Sequence, residues 1–402
     1  MSSISTRKIK DCSGCNACAE ACPKHCIKMT FDKKGFLYPK VDTADCIDCG
    51  TCENICPFED GNIELNPPTI AYAAWNKEKK TYLASSSGGA AYVFSSHVIK
   101  QGGVVYGCSS EGLLIRHIRV DSLPELPRLQ GSYYVQSDVR GLFCQVKADL
   151  KSGKPVLFIG TPCQVAGLKN YLRRIPDSLY LVDLICHGVP SQQMLHDHIS
   201  YVLNNSAVEH LSFRKGQMFR IEIFSKSGIN YSSEPHKDMY YRAFLSGISY
   251  RGSCYHCPFA RKERVSDITI GDFWGLQDSE LLPLKISDGI SVLLPSSEKG
   301  NNLIDAVKPN MHIYERSVKE AIEGNTQLNH PANYGWSARL LSILYPHLSF
   351  DKAVRMAIIK NIVMDFLKCM FRPLKPVLLH IINVPGLPYL VGSGGYRNQF
   401  LG

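Results

Sequence analysis

Cys12-x-x-Cys15-x-x-Cys18-x-x-x-Cys22-Pro23 is followed, 34 residues later, by the same pattern as Cys46-x-x-Cys49-x-x-Cys52-x-x-x-Cys56-Pro57. Three cysteines spaced this way place thiolates on three corners of an iron-sulfur cube within one short loop, so a fourth must come from elsewhere. The Cys-Pro closing each run sits on a short helix pointing back at the other half and ligates the other cluster. One 4Fe-4S cluster is therefore expected on Cys12, Cys15, Cys18 and Cys56, and a second on Cys46, Cys49, Cys52 and Cys22. Cys-x-x-Cys pairs also bind zinc, but zinc leaves one cysteine of each run without a task. Gly14 and Gly50 suit loops whose amides approach cluster sulfides. Cys26 lies outside both runs and reads as a small buried apolar residue.

This duplication is the run of bacterial two-cluster ferredoxins. It occupies a small part of a 402-residue chain, which exceeds what one core usually supports. The Asn66-Pro67-Pro68 stretch reads as a stiff linker, so the expected divisions are 1–66, 67–345 and a tail over 346–402. Sixteen cysteines with no signal-type apolar stretch in Met1 to Lys10 suggest a reducing, cytoplasmic setting, where clustered cysteines bind metal or carry redox chemistry. The formal charge of +9 favours acidic partners. Nucleic acid is not expected, since no Lys/Arg run with interleaved aromatics occurs.

Beyond the linker, Thr69 to Trp75 reads as a strand, and Ser85-Ser86-Ser87-Gly88-Gly89 leads into a helix from Ala90 to Lys100. Such a loop can hold phosphate on backbone amides, or serve as a plain flexible helix cap. Strands are expected at Val104 to Cys108 and Ile115 to Val120, and Gly131 to Ser137 forms a polar and aromatic loop. Pro155 to Gly160 is a short apolar run of the buried parallel type, followed by Thr161-Pro162-Cys163 and a helix from Gln164 to Leu172. Tyr180 to Ile185 repeats the theme, with Cys186-His187-Gly188-Val189-Pro190-Ser191 before a helix from Gln192 to Leu203. Both cysteines stand where open parallel sheets place ligands, and adjacent strands would make them neighbours. Cys254-x-x-Cys257-Pro258 completes four thiolates, the number a 4Fe-4S cluster requires. Zinc has the same ligand count, and unrelated buried cysteines are a further alternative. His187 and His256 read as neighbours of such a site or as surface residues. Ser266 to Gly275 reads as a strand with acidic residues at both ends.

Taken in order, Ser85 to Gly89, Gly131 to Ser137, Gly160-Thr161-Pro162-Cys163-Gln164, Cys186 to Ser191, Cys254-x-x-Cys257-Pro258-Phe259 and Ser266 to Gly275 carry a resemblance. The chain resembles the beta subunits of coenzyme F420 hydrogenases and dehydrogenases, in the version with an N-terminal two-cluster ferredoxin domain. The likeness spans nearly residues 1 to 340. It implies an α+β architecture: a small ferredoxin-like domain, a larger α/β mixed-sheet flavoprotein-like domain, and a helical tail. It also implies FAD beside a third 4Fe-4S cluster, with Cys163, Cys186, Cys254 and Cys257 at the ligand positions. Candidate cofactor contacts are Ser86, Ser87, Gly88, Gly89, Tyr134, Gln136, Ser137, Thr161, Pro162, Gln164 and His187. In such proteins the flavin exchanges a hydride with the deazaflavin coenzyme and single electrons with clusters. One departure is Tyr133, where a lysine is expected after Gly-Ser, so a cationic contact to an anionic cofactor or substrate is in doubt. Relatives in bacterial surface-polysaccharide gene clusters look like reductases of unidentified substrates, so the resemblance leaves the electron donor open. The expected partners are a redox carrier or small-molecule substrate and a protein redox partner. The competing expectation is an electron-transfer adaptor without a substrate site, although some 270 residues beyond the repeat exceed what an adaptor needs.

The segment from Asp351 onward carries seven Lys/Arg against two Asp. Ala353 to Phe371 has the spacing of a basic amphipathic helix, suited to packing or to the inner face of an anionic membrane. Val377 to Val391 is apolar but interrupted by Pro385, Gly386 and Pro388, too short for a spanning helix.

Overall fold

The N-terminal cysteine runs each turn into one short helix, Ala17–Ala21 and Thr51–Asn54. Asn16 and Gly50, in left-handed conformation, make those turns. Between the helices, β1 (Ile27–Phe31) and β2 (Leu37–Val41) form an antiparallel hairpin. This is a computed structural model, and it describes residue 4 and residues 11–59, 61–204, 207–216, 218–276 and 289–359.

The rest of the chain builds on β3 (Ala71–Asn76), β4 (Val104–Glu111), β5 (Leu114–Val120), β6 (Val156–Gly160), β7 (Leu179–Leu184), β8 (His210–Lys215), β9 (Met218–Ser225), β10 (Gly228–Ser233), β11 (Ile268–Asp272), β12 (Ser291–Pro295) and β13 (Met311–Arg316). Eight of these form one mixed sheet in the order β13-β3-β12-β11-β7-β6-β4-β5. Its centre, β4-β6-β7-β11, is parallel, and its flanks are antiparallel. The central runs are mainly apolar because helices cover both faces, and the buried polar exceptions Asp183 and Thr269 are hydrogen-bonded to each other. Val156, Leu157 and Phe158 are fully buried, and so are Leu179 and Val182. Helices Ala90–Lys100, Pro162–Leu172 and Gln192–Leu203 follow the strands that the sequence assigns to them. A separate antiparallel sheet, β10-β9-β8, stands beside the large one.

Contacts gather Met1–Arg355 into one unit and leave Met356–Gly402 as a second. Residues 350–359 are helical, in line with the start of the helix expected from Ala353. The remainder of that helix and the apolar stretch Val377 to Val391 lie outside the described residues, as does most of Met1 to Lys10. No helix among the described residues is long and apolar enough to cross a membrane.

Within the first unit, the cysteine-rich segment is fastened to the large sheet's helices. Cys15, Ala17 and Ile55 share one apolar core with Phe143, Phe158 and Val165. The Glu20 carboxylate accepts hydrogen bonds from Gly141 N and Cys144 N, both at 3.0 Å, capping helix Leu142–Lys151. Asn170 Nδ2 donates to Ile55 O at 3.1 Å. The Asn66 stretch is clipped rather than free: it exchanges backbone hydrogen bonds of 2.9 and 2.8 Å with Arg264.

Candidate iron-sulfur and cofactor site

The N-terminal cysteines gather in two groups that each draw on both runs. Cys22, Cys46, Cys49 and Cys52 line one hollow. Cys15 stands within electrostatic reach of Cys12 and Cys56, and Cys18 within reach of Cys12, Cys15 and Cys56. Each trailing cysteine thus sits with the other run's triplet. Burial, then the neighbouring thiols, raises the Cys15 and Cys18 thiols well above their usual range. Such thiolates are stable together only around positive charge, which iron supplies. Cys26 is buried, as an apolar residue would be, and its Sγ lies 3.3 Å from Cys22 Sγ in the hollow lined by Cys46, Cys49 and Cys52. The spacing of the runs gives no hint of this fifth thiol.

The parallel pairing of β6 with β7 sets Gly160 opposite Asp183, so the segments leaving these strands emerge side by side. Cys163 and Cys186 sit there. The turn Gly252–His256 brings Cys254 and then Cys257 to the same place, because Arg251 N donates to Val189 O at 2.9 Å. All four cysteines line one cavity, together with Thr161, Gln164, His187 and Arg264. Burial, followed by the charge of neighbouring cysteines, pushes both Cys186 and Cys257 up to about 12. Among the described residues no three Cys, His, Asp or Glu side chains converge on a single ion position. The thiols ring a hollow instead.

Two buried groups hold this arrangement. Arg264 Nη2 pairs with Asp183 Oδ1 at 3.0 Å, and Thr269 Oγ1 donates to the same oxygen at 2.6 Å. The same guanidinium donates to Leu184 O and Phe259 O, the chain segments carrying Cys186 and Cys257. Thr161 and Gln164 form a capping box on helix Pro162–Leu172. Gln164 Nε2 also donates to Ser137 Oγ at 3.0 Å, and Ser137 Oγ is 2.9 Å from His117 Nδ1. Gln136 Nε2 donates to Ser13 O, so this residue joins the first cysteine run to the second motif. His256 is exposed.

The cysteine-rich segment reaches this cavity directly. A Cβ at Gly167 would stand 3.0 Å from Cys15 Cβ and Sγ, so any larger residue would have to push Cys15 aside. Cys15 and Cys163 are near enough for the charge of one to bear on the other.

The Ser85–Gly89 loop lies elsewhere along the same sheet edge. Ser291 of β12 stands opposite both Asp272 and Ala74, so the ends of β3, β11, β7 and β6 point one way. Gly88 is pressed onto that edge: a Cβ there would be 2.1 Å from Ala74 O. Helix Ala90–Lys100 starts beside it with Gly89, which has no side chain, at its N-cap. Between loop and cysteines, Arg214 forms an ion pair with Asp272 and donates through Nε to Tyr134 Oη at 2.7 Å. Tyr134 stacks on Phe244, ring centroids 4.6 Å apart. His187 has its imidazole pushed down to about 4 by burial and is neutral at pH 7. Tyr133, in place of the expected lysine, hydrogen-bonds Ser110 Oγ. Of the candidate contacts, Gln136, Ser137, Thr161, Pro162, Gln164 and His187 border the cysteine cavity. Ser86, Ser87, Gly88, Gly89 and Tyr134 are not in its lining.

Two family models match this chain. Residues 153–321 match the C-terminal part of the coenzyme F420 hydrogenase/dehydrogenase beta subunit, and residues 11–59 match the 4Fe-4S dicluster domain. Residues 153–321 thus carry the C-terminal domain of the coenzyme F420 hydrogenase/dehydrogenase beta-subunit family, an oxidoreductase family, behind a 4Fe-4S domain at residues 11–59. Among curated relatives, the F subunit of the F420H2 dehydrogenase of Methanosarcina mazei is 22% identical over 320 residues, covering 76% of this chain and 84% of the relative. A ferredoxin of Saccharopolyspora erythraea is 38% identical over 79 residues, covering 19% of this chain and 69% of the ferredoxin. A chain of the F420-reducing NiFe hydrogenase complex from Methanosarcina barkeri aligns with a TM-score of 0.43 at 16% identity, over 78% of this chain and 96% of that one.

Proposed function

We propose that this protein is an iron-sulfur flavoprotein that exchanges a hydride with a deazaflavin or similar carrier and passes single electrons to a protein partner. Its clusters would be held by Cys12, Cys15, Cys18 and Cys56, by Cys46, Cys49, Cys52 and Cys22, and by Cys163, Cys186, Cys254 and Cys257. The observation that carries this reading is the contiguity of the three thiol groups, with Cys18 in reach of Cys52 and Cys15 in reach of Cys163. A thiol ring around a hollow supports a polynuclear cluster over one zinc ion, whose ligands meet at a point.

FAD suits the sheet edge beside the third thiol group. Gly88 and the N-terminal amides of helix Ala90–Lys100 can receive a phosphate, and the edge of a parallel sheet is where such ligands dock. When bound, a flavin supplies the conversion between two-electron and one-electron transfer. The chain's own residues then position and insulate. Arg264 and Asp183 fix the strand ends, the Thr161–Gln164 box fixes the start of the cysteine helix, and neutral His187 adds no charge beside the thiolates.

The organic carrier and the protein partner are inferred from the Methanosarcina mazei relative, whose name makes it one subunit of an F420H2 dehydrogenase. Iron, acid-labile sulfide, zinc and flavin assays on anaerobically prepared protein test the cofactors. Reduced deazaflavin, NADH, NADPH and reduced ferredoxin, added in turn, test the donor. Fast bleaching of flavin and cluster absorbance by the deazaflavin supports the proposal; zinc without flavin overturns it.

A further inference from the structure

Arg251 is 1% exposed and lies between the first cysteine run and the Cys254 motif. Its guanidinium donates from Nε to Cys12 O at 2.6 Å, from Nη2 to Leu37 O at 2.6 Å, and from Nη1 to Gln136 Oε1 at 3.1 Å. Nη2 also approaches Cys12 Sγ at 3.7 Å, and the group lies over the Tyr38 ring at 4.2 Å. Every one of these partners is neutral or a thiol. Arg251 forms no ion pair among the described residues, whereas buried Arg264 pairs with Asp183 and buried Arg214 with Asp272.

A buried cation without a counter-ion is costly to keep, and a fold retains one where negative charge arrives from elsewhere. The thiols it faces belong to two different groups. Cys12 is in direct reach, and the positive charge also acts on Cys163 across the seam. Ser13, beside it, is 6% exposed, and its hydroxyl finds no oxygen or nitrogen partner and faces the Cys163 thiol. A cation and a hydroxyl turned toward sulfur, with no acid to receive them, describe a place built for anions.

We infer that Arg251 is the shared counter-charge of the cluster on Cys12, Cys15, Cys18 and Cys56 and the cluster on Cys163, Cys186, Cys254 and Cys257, raising the reduction potential of both. Each cluster gains one negative charge with the electron it accepts, so a nearby fixed cation favours its reduced form. The cluster on Cys22, Cys46, Cys49 and Cys52 has no contact with Arg251 and keeps its own potential. Arg251 is a positioning residue in this scheme, and it rests on the three-cluster reading above.

The test is an anaerobic redox titration followed by electron paramagnetic resonance on the full chain, with Arg251→Gln and Arg251→Lys beside wild type. Wild type comes first: fewer than three reducible clusters overturns the three-cluster reading and the inference with it, before any variant is made. With three present, Arg251→Gln should shift two midpoints to lower potential and leave the third in place, and Arg251→Lys should stay near wild type. Three unchanged midpoints in Arg251→Gln, or equal shifts in all three, overturn the inference. Should Arg251→Gln lose iron, the Lys variant decides. Full iron in Arg251→Lys against loss in Arg251→Gln supports the counter-charge, and equal loss in both overturns it, assigning Arg251 to hydrogen bonding alone.

Discussion

His198 is buried between two carboxylates, with Nε2 2.9 Å from Asp238 Oδ2 and Nδ1 3.1 Å from Asp351 Oδ2. The side chains of all three are no more than 3% exposed. Tyr231 Oη donates to the same Asp238 oxygen at 3.0 Å, and Asp238 caps helix Met239–Leu245 through Tyr241 N. Burial opposes the imidazolium, but hydrogen bonds and charge from both aspartates overcome it and raise its pKa from 6.5 to about 9. A raised folded-state value means that protonated His198 adds stability that is fully present below about 6.5 and lost as pH rises through about 9. At about 1.4 kcal/mol per unit, the contribution is on the order of 3 kcal/mol. The first unit spans Met1–Arg355. At about 2.1 cal/mol/K per residue, a unit of that size moves its melting midpoint by about 4 °C for such a change. The assay is the melting midpoint of anaerobic holoprotein at one scan rate from pH 6 to 9.5, wild type against His198→Gln. The gap between the two should be widest at pH 6 and close toward pH 9.5. A gap that stays constant across the range would refute the reasoning, because it would mean His198 stabilises by packing and not by charge.

Other expectations follow from the cysteine sites. Cys56→Ser should abolish the spectroscopic signal of the cluster built on Cys12, Cys15 and Cys18 and spare the one on Cys46, Cys49 and Cys52; the opposite pattern would rule out crossed ligation. Cys254→Ala should remove about one third of the iron, and unchanged iron per protein would show that the third group holds no cluster. Arg264→Met strands the buried Asp183 carboxylate, a loss of about 3–5 kcal/mol, read as a melting midpoint lower by about 4–7 °C. A second change, Asp183→Asn, should restore part of that loss, and additive losses would show that the pair does not interact.

The parts of the fold that were legible in the sequence are those whose signals are local. The duplicated cysteine runs specify their loops by spacing alone, and apolar runs such as Val156 to Phe158 mark strands buried on both faces. Helices Ala90–Lys100 and Gln192–Leu203 have the ends that the sequence indicates. The antiparallel flank was not legible, because β3 pairs with β12 and β13 more than 200 positions away and no local pattern encodes that choice. The β8-β9-β10 sheet had a usable signal in the alternation of Phe219, Ile221 and Ile223, with Ile221 and Ile223 fully buried. Arg251, Arg264 and Ser13 could not be singled out, since a buried arginine and a surface one look alike in one sequence. Cys26 is buried as its sequence context suggests, but its proximity to Cys22 carries no local signal.

The shared apolar core of Cys15, Ala17 and Ile55 with Phe143, Phe158 and Val165 has a kinetic meaning. A two-cluster module on a tether would act as a swinging arm, collecting an electron at one place and delivering it at another, at a rate that falls as the solvent thickens. Here the module is anchored through its interior, by the same side chains that bury the large sheet's helices. Electron hops between its thiol groups and Cys163 would span separations set at folding and unaltered by diffusion. Internal transfer would then be indifferent to added glycerol or sucrose, leaving the encounter with an outside partner as the viscosity-sensitive step.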